Sequence, residues 1–127
     1  MQGFIADTHA VLWFLEDSPR LPPEIRALMK DANNTVVFVS SASIFEIAIK
    51  AARGRLKVPP NLPTVLREEH FASLPVTELH AWHVRDLADV DHLDPFDRLI
   101  AAQALYEELP VISNDAQLDR YGVVRRW

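Results

Sequence analysis

Apolar residues in this chain come in short runs that alternate with stretches of helical spacing. Residues 3–6 form one such run, and beyond Asp7 and Thr8 the positions Ala10, Val11, Leu12, Phe14 and Leu15 recur every three or four residues until Ser18-Pro19 stops them. This predicts a strand followed by a helix. Pro22 and Pro23 suit the first turn of a second helix reaching Lys30, which Asn33-Asn34 closes as a turn. Residues 35–39, Thr-Val-Val-Phe-Val, have the composition of a central strand covered on both faces. In residues 41–53, Ile44, Ile47, Ala48 and Ala51 make one helix face and Phe45, Ile49 and Ala52 a second, before Gly54 supplies the stop. The polar stripe left over is Glu46, Lys50 and Arg53. A helix this apolar is buried in the monomer or against a partner, so Glu46 projects from a narrow polar slot, an unusual place for a glutamate.

Further along, residues 65–71 and 78–87 read as helices with a strand-like Leu74-Pro75-Val76 between them. Asp94-Pro95-Phe96-Asp97 opens a long helix to Leu109, in which Ala101, Ala102 and Ala104 allow close packing on a sheet. Pro110-Val111-Ile112 is another short strand, Ser113-Asn114-Asp115 leads into a last helix ending at Gly122, and residues 123–125 form an edge strand. The alternation predicts a three-layer α/β fold with a central, mostly parallel sheet flanked by helices. Its 127 residues suit one domain.

Composition narrows the chemistry. At 49% hydrophobic and 24% charged residues the chain is too apolar to be disordered. Having no cysteine, it makes neither disulfides nor thiolate zinc sites, as expected of a cytoplasmic protein. Residues 1–5 show no charged leader or long apolar stretch, so neither a signal peptide nor a membrane span is expected. A net charge of −5 argues against a broad phosphate-binding surface, so any nucleic acid must be gripped locally.

Four carboxylates, Asp7, Glu46, Asp97 and Asp115, stand where apolar runs give way to helical patterns. If the runs are neighbouring parallel strands, the acids share one sheet edge, where open α/β sheets bind ligands. Like charges packed together destabilise a fold unless a cation neutralises them, and hard divalent cations take oxygen ligands. Each acid also has a capping explanation: Ser43-Ile44-Phe45-Glu46 matches a capping box, Glu46 and Lys50 an i, i+4 ion pair, Asp94 an N-cap before Pro95, and Asp115 a cap before Ala116. Ser, Thr or Asn would cap equally well, however, and here a carboxylate stands at all four junctions. Thr8 and Ser113 lie beside two of them and suit a supporting hydroxyl role.

Taken in order, Ile5-Ala6-Asp7-Thr8-His9-Ala10, Ser43-Ile44-Phe45-Glu46-Ile47-Ala48-Ile49-Lys50, Asp94-Pro95-Phe96-Asp97-Arg98-Leu99 and Ile112-Ser113-Asn114-Asp115 resemble the four acidic motifs of PIN domains, and among these the VapC-type toxin ribonucleases. The resemblance spans essentially the whole chain, with Gly54-Arg55-Leu56 following the second motif as in many of those toxins. It implies a Mg²⁺- or Mn²⁺-dependent endoribonuclease with metal ligands at Asp7, Glu46, Asp97 and Asp115, a cognate antitoxin whose segment covers the cleft, and a homodimer. The metal would reconcile an acidic protein with a polyanionic substrate, and Lys50, Arg53, Arg55 and Arg98 are the candidates to grip phosphate. Asp94 is the less certain acid of its pair, and Asp119 reads as surface charge. Trp13 and Phe14 are expected to be exposed aromatics on the first helix, while His9 stands where it can approach substrate or cover the cleft.

Rival readings exist. His80 and His83, with His92 near Asp91 and Asp94, would be a zinc set, although an H-x-x-H pair on an amphipathic helix is more often exposed decoration. The acids and alternating fold also suit a receiver-like signalling or interaction module without nuclease activity. A phosphoacceptor receiver should carry paired acids at its first strand end and a late Lys, whereas this chain has Asp7 alone and Ser113-Asn114; a haloacid-dehalogenase-like phosphatase needs D-x-D, and here the residues are Asp7-Thr8-His9.

Overall fold

Strands β1 (Gln2–Ala6), β2 (Thr35–Ser40), β3 (Ala72–Leu74), β4 (Val111–Ile112) and β5 (Arg125–Arg126) are joined by helices α1 (Thr8–Leu15), α2 (Pro23–Lys30), α3 (Ser41–Ala52), α4 (Leu62–Glu68), α5 (Glu78–His83) and α6 (Pro95–Glu107), with 3₁₀ segments at Val84–Asp86 and Ala116–Tyr121. The computed structural model describes residues 1–87 and 94–127. All strand pairs are parallel, in the order β3-β2-β1-β4-β5. The chain thus moves outward from β1 through β2 to β3, then returns to the other flank of β1 to lay down β4 and β5. That reversal opens a crevice between the carboxyl ends of β1 and β4, the position where sheets of this kind take ligands.

Strand alternation builds a core on each side of the sheet. Phe4, Ala6, Val37 and Val39 pack with Val11 and Leu12 of α1, Ile25 and Met29 of α2, and Leu66 of α4. Ile5 and Val111 belong to a second cluster with Ile100, Ala101 and Ala104 of α6 and with Leu118. The alanines of α6 are buried, as close packing on the sheet requires. The architecture is therefore the predicted three-layer α/β fold.

Several boundaries differ from expectation for identifiable reasons. β2 runs straight into α3 with no loop, and Ser40 caps that helix by accepting the Ala42 N–H, so Glu46 lies well inside α3 and the Ser43–Glu46 capping box does not form. α4 begins at Leu62 because Pro63 suits its first turn. β3 ends at Leu74, before Pro75, whose ring nitrogen has no hydrogen for the ladder. Residues expected to continue α5 tighten into the 3₁₀ segment Val84–Asp86. The last helix is 3₁₀ throughout, and Gly122, at φ 81°, closes it and turns the chain into β5. Phe14 is buried and packs edge-on against Phe71, correcting its expected exposure; an almost wholly apolar helix does not reveal which residue faces inward.

Candidate functional site

Asp7 follows β1 directly and caps α1: its Oδ1 accepts the Ala10 N–H at 2.8 Å. Its neighbour across the crevice is the segment leaving β4, whose Ser113 hydroxyl donates to the Asp7 carboxyl and also accepts the Asp115 N–H at 3.0 Å. One serine therefore joins two acids from remote parts of the sequence. Burial pushes the Asp7 pKa up, because a charged carboxylate loses its water; the Ser113 and Ala10 hydrogen bonds and the nearby His9 oppose that rise, whereas the charge of Asp115 adds to it. Asp7 and Asp115 thus sense one another at the switch point. Asp115 also caps its 3₁₀ segment by accepting from Gln117 N at 3.0 Å.

Glu46 reaches the same edge from α3. It is buried, and both its oxygens are engaged: Oε1 accepts from Thr8 Oγ1 at 2.7 Å, and Oε2 takes the Lys50 ammonium at 2.9 Å. Thr8 also lies 3.0 Å from Ser43 Oγ and is adjacent in sequence to Asp7, so it couples α1 to α3. The Glu46–Lys50 pair expected from i, i+4 spacing is present.

Asp97 sits in the first turn of α6. Asp94 is the N-cap there, its Oδ1 accepting from Phe96 N at 2.9 Å and Asp97 N at 3.2 Å, with Pro95 opening the helix. Phe96 meets Phe45 of α3 edge-on, ring centroids 5.7 Å apart, which docks this turn next to the Glu46 helix. Arg98, one residue on, holds its Nε buried with no hydrogen-bond partner among the described residues. Arg53 and Arg55 are exposed.

The four acids are not gathered as one ligand set. Among the described residues no three Asp, Glu or His side chains lie together in metal-ligating geometry. Asp7 and Asp115 form a pair, and Glu46 is tied to the residue beside Asp7. The capping explanation holds in full for Asp7, Asp94 and Asp115; it does not account for Glu46, nor for the buried, like-charged pairing of Asp7 with Asp115.

The histidine rival fares differently. His80 is fully buried, so it is no exposed decoration. Its Nδ1 accepts the Thr77 N–H at 3.0 Å within a capping box, and its Nε2 bonds Glu107 Oε1 at 2.8 Å. With both nitrogens used it has none left for zinc. His83 turns its Nδ1 to the Leu79 carbonyl. His92 and Asp91, the remaining members of that set, lie outside the described residues. Asp119 pairs with Arg125 at 3.1 Å, in keeping with surface charge. A grouping that local sequence did not signal is the ring series His9, Trp13 and Trp127, with centroids 5.6 and 5.8 Å apart.

The sequence matches the family model described as PIN domain over residues 4–124. The comparison with curated proteins gave no match. Among solved structures, the chain is similar to VapBC2 from Rickettsia felis bound to a DNA fragment from their promoter, with a TM-score of 0.74 and 14% identity over 98% of each chain. It is similar also to DNA-bound VapBC from Salmonella typhimurium, with a TM-score of 0.71 and 20% identity over 99% of this chain and 98% of the other. FitAcB from Neisseria gonorrhoeae follows at a TM-score of 0.61 and 20% identity, over 96% of this chain and 95% of that one. At such identities the likeness establishes the fold.

Proposed function

Because the chain belongs to the PIN domain family, which its residues 4–124 match, we propose that it is a Mg²⁺- or Mn²⁺-dependent endoribonuclease acting as the toxin of a toxin–antitoxin pair. One observation carries this reading: a buried aspartate and a second aspartate, bridged by Ser113, share the crevice where the strand order reverses. Capping alone does not call for a carboxylate whose ionisation is opposed by burial and by its neighbour, and carboxylates perturbed in this way cluster at functional sites. The donor set fits a hard divalent cation, since it is all oxygen and since Mg²⁺ is commonly held by one or two carboxylates with water filling its other positions. Asp7 and Asp115 would hold the ion, with Glu46 and Asp97 at its margin; bound there, it would supply an acidified water and shield charge building on phosphorus.

The chain's own groups have separable tasks. Ser113 orients the Asp7 carboxyl while fixing the turn that carries Asp115. Thr8 and Lys50 hold the two oxygens of Glu46 in place. Asp97 or Asp115 accepts the proton from the attacking water. Arg98, one residue from Asp97, grips a phosphate oxygen, with Arg53 and the Glu46-paired Lys50 as the further cations of that grip. We assign the apolar groove of about 380 Å³ lined by Ile44, Ile47, Ala51, Val58 and Leu62 to a segment of the antitoxin, and the exposed Phe45 with Phe96 to a second copy of the chain.

Purified protein should cut total RNA with Mg²⁺ or Mn²⁺ and stop in EDTA; Asp7→Asn and Asp97→Asn should each lose roughly 100-fold or more in rate. Cleavage that survives both chelation and these substitutions rejects the mechanism. Metal binding by calorimetry without any cleavage points instead to the signalling or interaction module. Sizing the protein alone and with a co-expressed neighbour tests the two interfaces, and a strict monomer that binds nothing removes them.

A further inference from the structure

We propose that His9, Trp13 and Trp127 form a stacking platform for unpaired bases of single-stranded RNA next to the acidic crevice. This rests on the ribonuclease reading and names the form of substrate that the site takes. His9 and Trp13 lie one turn apart on α1, centroids 5.6 Å apart and planes 31° apart. Trp127 comes from the other flank of the crevice and meets Trp13 at 5.8 Å with planes 59° apart, so the series bends at Trp13 and offers bases two separate outer rings. The platform begins at the acids from both sides. His9 follows Asp7 and acts electrostatically on its carboxyl. Trp127 follows Arg126, whose carbonyl accepts the Ser113 N–H at 3.1 Å. Trp13 is half-buried in the middle with the Arg20 guanidinium 5.9 Å from its ring centre, while His9 and Trp127 expose the outer surfaces.

Charge selects the occupant. With a net charge of −5 the chain does not attract phosphates at long range, so a strand must be held locally. Aromatic faces do this for any base, provided that the base is not already stacked in a duplex. The exposed cations next to these rings in space or in sequence are Arg20, against Trp13, and Arg126, the neighbour of Trp127, and they are available to the sugar-phosphate backbone of a stacked strand. Trp82 of α5 with Arg85 of the 3₁₀ segment after it, centroid to guanidinium 4.7 Å, is a similar pair beyond β3, at the opposite sheet edge from β5, and it serves as the internal control.

The test is fluorescence anisotropy of a labelled ten-nucleotide single-stranded RNA in Ca²⁺ buffer, against the same strand with abasic residues and against its duplex. Trp127→Ala and His9→Ala should each weaken binding of the base-bearing strand roughly 5- to 100-fold, Trp127→Phe should restore most of it, and Trp82→Ala should match the parent. The abasic strand and the duplex should bind the parent about as weakly as the intact strand binds Trp127→Ala. Unchanged melting temperatures for these variants confirm that the loss is one of contact. Equal binding of intact and abasic strands, or wild-type affinity in both variants, overturns the platform, as does a Trp127→Ala defect seen with a partner protein and not with RNA. If the binding pattern holds but Mg²⁺ and Mn²⁺ support no cleavage, the platform stands and the ribonuclease reading falls; if RNA is cut yet the variants bind and cut like the parent, the reverse is true.

Discussion

Two buried polar clusters, one around His80 and one around Asp7, handle the same difficulty in opposite ways. Around His80 the charges are matched: both ring nitrogens have partners, Gln103 Nε2 donates to the Pro75 carbonyl at 3.2 Å, and Tyr106 packs edge-on against the imidazole, leaving Gln103 Oε1 as the buried polar atom there without a hydrogen-bond partner among the described residues. Around Asp7 they are set against each other, with a desolvated carboxyl beside a second acid. A buried network whose titratable group is paired fixes elements together, here α5 on α6, even with one neutral amide oxygen left over; a carboxyl set against a like charge stores a demand that an external cation meets. Burial and titratability are common to both. The mismatch separates the site from the scaffold.

The largest way to break this contrast is His80→Ala. It removes a fully buried ring and leaves the Thr77 N–H and Glu107 without their partner, which should cost about 2–3 kcal/mol and lower Tm by roughly 10 °C. RNA cleavage per folded molecule should persist, since His80 lies outside the crevice. A stable His80→Ala protein with no activity would reverse the roles assigned to the two clusters.

Less drastic is Thr8→Val, which keeps the shape of the side chain but takes away the hydroxyl that holds Glu46 Oε1. A partner of this kind typically sustains 10- to 100-fold in activity or metal affinity, so cleavage should fall by about 10-fold. Titration with Mn²⁺ should show the loss mainly as weaker metal binding. An unchanged metal affinity would remove Glu46 from the site.

How far the letters alone could go differs between the clusters. Parallel β/α alternation, the buried strand at β2 and the Glu46–Lys50 pair all leave local patterns, so they were readable. Asp7 and Asp115 were recognisable as acids at strand ends, but Ser113 as the bridge between them depends on β1 and β4 being neighbours. The burial of His80 leaves no such pattern, because an H-x-x-H spacing looks alike on a wet or a dry helix face; Thr77, three residues before it, is the local sign of its capping box. Trp127 meeting Trp13 is a contact between the two sheet flanks and has no local signature at all.

Asp7→Asn sharpens the contrast through pH. Asparagine still caps α1 but cannot ionise. Because burial raises the Asp7 pKa in the fold above its unfolded value, the protonated fold is favoured at low pH, and that advantage is lost as pH rises through the folded pKa. In metal-free buffer Asp7→Asn should therefore match the parent in acid and melt at an equal or higher temperature at neutral pH, the difference growing as pH rises. Added Mg²⁺ should reverse the order by stabilising the parent alone. A variant that melts much lower at every pH would mean that Asp7 serves the fold and that the cation demand is not real.

The smallest effect is expected at Asp119. It lies four residues after Asp115, yet its carboxylate faces Arg125 at 3.1 and 3.3 Å, and its side chain is 55% exposed. Water screens such a pair, so Asp119→Ala should change stability by less than about 1 kcal/mol, less still at high salt. The Arg125 guanidinium keeps its second bond, to the Ser113 carbonyl at 3.2 Å, so the turn carrying Asp115 should stay in register and cleavage should be unaffected. A tenfold drop in rate without a change in Tm would show that Asp119 acts on the metal or the substrate, and the frustrated cluster would then extend one helical turn beyond the pair that defines it.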